Sequence, residues 1–90
     1  MSVEIILPPM LQALTGDVKQ FSASGKTLVA CLNDLIEKYP EIKPKIFSRS
    51  GKLANGVNIF LNRENIPPDS LSKPVHDGDK IHISFVVLGG

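Results

Sequence analysis

Six apolar residues at three- and four-residue spacing, Leu28, Cys31, Leu32, Leu35, Ile36 and Tyr39, form the clearest helical stripe of this chain. Thr27 stands where an N-cap hydroxyl would accept from a first-turn amide. Pro40 stops the helix near Tyr39. The remaining apolar residues come in short runs. Ser2 to Leu7 reads as a strand with Val3, Ile5 and Leu7 on one face, ended by Pro8-Pro9. Met10 to Leu14 reads as a helical turn, and Val18 to Phe21 as a second strand pairing with the first across a long connection. Ile42, Ile46 and Phe47 form a further short turn on the core, followed by a polar loop from Ser48 to Lys52. Asn55-Gly56 leads into a strand from Val57 to Asn62, with Arg63-Glu64-Asn65 as a hairpin tip and a break at Pro67-Pro68. After the turn His76-Asp77-Gly78-Asp79 comes the most continuously apolar strand, Ile81 to Leu88, which suits a central place in a sheet. One helix of about three turns covers one face of a four- or five-stranded sheet, which is an α+β roll.

Length sets the ceiling on what such a roll can do. Ninety residues make one domain with one small core. Net charge is +1 and the basic residues are scattered, so the footprint of a nucleic-acid binder is missing. The apolar runs fall far below the ~20 residues of a membrane span. Met1-Ser2-Val3-Glu4 lacks the basic start of a secretory signal. With Cys31 as the single cysteine there is no intrachain disulfide and no zinc cluster. The expectation is a cytoplasmic domain without a metal or bound cofactor.

Candidate chemistry within the chain is thin. Gly25-Lys26-Thr27 before a helix has the look of a phosphate loop, but such a loop needs a glycine five residues before the Gly-Lys pair, and Gln20 stands there. The segment reads as a turn and a helix cap. Cys31 lies on the apolar stripe, the setting of an unreactive core thiol. His76 falls in a turn and His82 on the strand face opposite Ile81 and Ile83, with no acidic residue at a ligand spacing. Both read as surface histidines, and Asp77 and Asp79 as turn residues.

Two features are left over. The first is Gly89-Gly90 directly after the last strand. Glycine restricts the backbone least and leaves its carbonyl uncovered. A diglycine end is either a frayed terminus or a thread that carries an acyl group into a partner's channel. The second is apolar residues on the wrong faces. Phe60, Ile6, Val86 and Leu88 lie opposite the helix-covered side of their strands. They form either an exposed partner patch beside the tail or the sign of a slipped register or a second small core under Pro67-Pro68.

The order of elements, the Asp77-Gly78-Asp79 turn, the last strand and Gly89-Gly90 together resemble the ThiS/MoaD ubiquitin-like sulfur carriers, over essentially the whole chain. Gly51-Lys52-Leu53, Val57 to Asn62 and Glu64 resemble the MoaD-like and CysO-like subgroup, while Leu88 departs from the alanine many bacterial carriers have there. The resemblance implies a single β-grasp domain over residues 1–90, with a mixed sheet and a flexible Gly89-Gly90 tail. It implies that a MoeB/ThiF-like adenylating enzyme uses ATP to activate Gly90, that Gly89 gives the tail its freedom, and that a sulfur donor leaves a thiocarboxylate. The acceptor synthase would be MoaE-like first, cysteine-synthase-like second and thiazole-synthase-like third. Phe60, Val86 and Leu88 would meet the partner, and catalysis would belong to that partner. Two other roles share the same residues: a protein modifier joined to lysines through Gly90, and a binding module whose tail has no chemistry.

Overall fold

Val3, Ile5 and Leu7 are buried and the residues between them are not, so the two-residue period of the first run is realised. The computed structural model describes residues 2–86. Strand β1 (Val3–Ile6) is followed by the one-turn helix α1 (Pro9–Gln12) and strand β2 (Gln20–Ala23). Helix α2 (Leu28–Lys38) leads through a short 3-10 turn (Pro40–Ile42) into α3 (Lys43–Ile46). Strands β3 (Val57–Leu61) and β4 (Glu64–Ile66), a second 3-10 turn (Pro68–Ser70) and β5 (Lys80–Phe85) complete the order. The sheet runs β2-β1-β5-β3-β4. Only the central β1–β5 pair is parallel; its neighbours are antiparallel. The sheet is thus mixed, and the most apolar strand is central.

Helix α2 forms for the reasons visible in its spacing. Thr27 is extended and its Oγ1 accepts from the Ala30 amide at 3.2 Å. The chain leaves helical geometry at Tyr39, before Pro40. Leu28, Cys31, Leu32 and Leu35 are fully buried against the sheet; Ile36 and Tyr39 pack at the edge. Tyr39 meets Phe21 edge to face, ring centres 6.1 Å apart. From the sheet, Ile5, Ile59, Ile81 and Ile83 fill the other side, and Leu11, Ile42 and Ile46 close the ends.

Two local expectations are corrected. The second strand lies at Gln20–Ala23, not Val18–Phe21. Its core-facing residues are Phe21 and Ala23, opposite Ile5 and Val3. Val18 precedes the ladder and only rests against the core. The hairpin tip is Asn62-Arg63, not Arg63-Glu64-Asn65. Leu61 pairs with Glu64, so the loop has two residues, and both take positive φ, +49° and +74°. That is the type I′ geometry that matches strand twist. Glu64 and Asn65 belong to β4, whose Ile66 turns into the core.

Candidate functional site

The helix covers one face of the sheet, and the register decides what the other face offers. Ile6 of β1 and Phe60 of β3 both pair with His82 of β5. Three strands therefore lay Ile6, His82 and Phe60 in one row across the open face, with Asn65 of β4 beyond Phe60. All three are half-buried. Their surroundings are polar: Glu4 and Lys80 on one side of the row, Asn58 and Ser84 on the other. Glu4 is held by Gln20 Nε2 at 3.1 Å and Ser22 Oγ at 2.9 Å.

This settles the two readings of Phe60. Its neighbours Ile59 and Leu61 are 0% and 7% exposed, so the register is the expected one and Phe60 lies on the open face. Among the described residues no second core forms around it; Ile66, not Phe60, is buried beside Pro67-Pro68. Val86 is 48% exposed. β5 ends at Phe85, short of the expected run to Leu88, so Val86 lies just past the strand, four residues beyond His82 and ~13 Å away at strand rise. The structure therefore brings Phe60 together with Ile6 and His82, and keeps Val86 apart from them. Leu88, Gly89 and Gly90 lie outside the described residues. The central place of His82 was missed in the sequence, because it follows from a parallel pairing between distant strands.

Val86 is anchored at the point where the described chain ends. Its N–H donates to the Gly56 carbonyl at 2.7 Å. Gly56 has φ +82°, and a Cβ there would stand 2.8 Å from the Val86 oxygen. Glycine is thus required twice, by conformation and by contact. Gly78, at φ +89°, has nothing within 4 Å of the same imagined atom. Gly78→Ala is expected to cost the left-handed strain alone, about 1–2 kcal/mol. Gly56→Ala adds displacement of Val86 and is expected to cost more in urea unfolding, with faster amide exchange at Val86. Equal losses and equal exchange in the two variants would refute the contact.

The remaining candidates have structural roles. Cys31 is fully buried, and burial first, then the Asp34 charge, push its thiol pKa up, which keeps it protonated. Asp79 accepts from Asn62 Nδ2 at 3.0 Å and the His76 amide at 2.8 Å, and the first of these bonds does most to hold its carboxyl below the usual range. Asp77 accepts from the Ser2 amide, tying the turn to the start of β1. Among the described residues no three His, Cys, Asp or Glu side chains group to hold a metal ion, and no helix is long and apolar enough to cross a membrane.

The ThiS family model matches residues 5–90. The sulfur carrier protein CysO of Mycobacterium tuberculosis is 38% identical over 93 residues, covering 100% of each chain. A chain of the Amycolatopsis orientalis BexX/CysO complex superposes with a TM-score of 0.86 at 29% identity, covering 98% of this chain and 99% of that one. The small archaeal modifier protein 1 of Methanosarcina acetivorans superposes with a TM-score of 0.85 at 29% identity, over 99% and 96% of the two chains.

Proposed function

This chain belongs to the ThiS family of sulfur carriers, with the β-grasp fold, and we propose from that premise that it carries sulfur as a thiocarboxylate on Gly90. The observation that carries this reading is the whole-length match to CysO carriers, joined to a sheet that keeps one face open. The chain acts as co-substrate; the adenylating enzyme and ATP belong to the partner. A Gly90 carboxylate oxygen attacks the α-phosphorus of ATP and expels pyrophosphate. Sulfide sulfur then attacks the acyl carbon, AMP leaves, and a proton is released. Glycine at the acyl carbon leaves the attack unhindered, and Gly89 adds no bulk beside it. Leu88 to Gly90, when extended, reach about 10 Å. That is enough to enter a cleft while the row of Ile6, His82 and Phe60 meets the enzyme outside.

Partner docking has support in kind, since the Amycolatopsis relative occurs as a BexX/CysO complex. For the acceptor, identity to CysO carriers favours a cysteine-synthase-like enzyme over the MoaE-like one placed first above, with a thiazole-synthase-like enzyme last. The cytoplasm, where ATP and sulfur donors meet, is the proposed location. The test is intact mass after incubation with the cognate adenylating enzyme, ATP and sulfide. Exchange of one oxygen for sulfur adds about 16 Da. Absence of that species with an enzyme active on its own carrier would overturn the reading. A second reading, conjugation of Gly90 to lysines, draws on the archaeal modifier at 29% identity. Glycine-glycine remnants on lysines of other proteins would establish it.

A further inference from the structure

Arg63 occupies a backbone state that glycine fills at least cost. It is the second residue of the Asn62-Arg63 turn, with φ +74°, where the favoured sequence is Asn-Gly. Asn62 answers its own position locally. Its Oδ1 accepts from the Lys80 amide at 2.9 Å and its Nδ2 donates to Asp79. Arg63 has no such local bond among the described residues. Strain retained without local compensation points to a use elsewhere.

The surroundings of Arg63 say where. It lines both hollows that flank His82 on the open face, each about 400 Å³. One includes Phe60 and Ser84, the other Ile6 and Lys80. Arg63 and Lys80 are exposed, and among the described residues neither has a carboxylate within ion-pair distance. The nearby acids are engaged by others: Glu64 by Lys73 at 3.5 Å, Asp79 by Asn62 and the His76 amide, Glu4 by Gln20 and Ser22. The apolar row thus has two exposed cations at its rim, neither of them in an ion pair among the described residues.

We propose that Arg63, with Lys80, recognises a carboxylate on the adenylating enzyme, beside the apolar contact made by Phe60 and Ile6. The occupant is a surface segment of that enzyme with an apolar side chain next to Asp or Glu. Arginine suits this role because its planar fork bonds a carboxylate through two parallel donors. A rim pair of this kind governs selection of the partner and the salt dependence of binding.

The inference rests on the proposed carrier role, and the test separates the two. Arg63→Gly relaxes the turn, so the melting temperature is expected to hold or rise. Binding of the cognate adenylating enzyme, measured directly, is expected to weaken by about tenfold, and the loss in turnover to fall on KM. Affinity of the unaltered chain falls with added NaCl more steeply than that of the variant, and Arg63→Lys recovers part of the loss. Unchanged affinity and unchanged salt dependence in Arg63→Gly overturn the inference, even where Gly90 gains sulfur. Weakened binding in a chain that never gains sulfur supports the inference and overturns the carrier chemistry.

Discussion

Removal of Gly89 and Gly90 is expected to abolish sulfur loading and to leave the melting temperature unchanged. The buried cluster is built from residues between Val3 and Ile83, with Phe85 packed at its edge. Neither glycine has a side chain to bury, so the deletion removes no apolar side chain. The shortened chain still ends in a carboxylate, but that carboxylate belongs to Leu88. It sits ~7 Å short of the original acyl carbon at extended spacing, and it has an isobutyl group beside the carbon to be attacked. Intact mass after incubation with the cognate enzyme, ATP and sulfide should show no gain. A truncated chain that still acquires sulfur, or still performs in the pathway, would return the diglycine to the status of a frayed end.

The second large effect is expected at Phe60→Asp, and its force lies in a contrast. Phe60 is half-buried on the open face, in a row with His82 and Ile6, and near Arg63. A carboxylate there is solvated and has cationic neighbours, so the fold should tolerate it. Docking should lose ~2 kcal/mol or more, as a central interface anchor does when removed, which is about a thirtyfold fall in affinity. Leu32→Ala has the opposite profile. Leu32 is fully buried on α2, and the truncation should cost ~2–5 kcal/mol in stability, a large share of what a small domain has. Well below the melting point, binding to the enzyme should survive. Chemical denaturation and binding on both variants check this. Unfolding of Phe60→Asp at ambient temperature would place Phe60 in the core.

Features set by local spacing were legible in the sequence. The stripe from Leu28 to Leu35, the Thr27 cap and the alternation in Val57 to Leu61 all stand as read, because each depends on residues a few positions apart. The Asn62-Arg63 turn was missed because its sign is usually an Asn-Gly pair, and arginine in the second place hides it. β2 was set too early because Phe21-Ser22-Ala23 offers only one large apolar residue to mark the alternation. Of the site, Phe60 was legible as an apolar residue between Asn58 and Asn62 on the wrong face. Its company was not. That Ile6, His82 and Phe60 share a row depends on pairings across as many as 76 positions, and no periodicity encodes them. The same gap explains why Val86 was grouped with Phe60, when it lies past the end of β5 and four residues beyond His82.

β5 has a consequence for timing. Without it, β1–β2 and β3–β4 are two separate hairpins with no ladder joining them, and isolated hairpins are at best marginal in water. The last strand made is therefore the zip that joins them, a closure of high contact order. The row of Ile6, His82 and Phe60 comes into being in that same event, since each residue arrives on a different strand. An activating enzyme that grips this row would select folded molecules, because unfolded ones lack the handle.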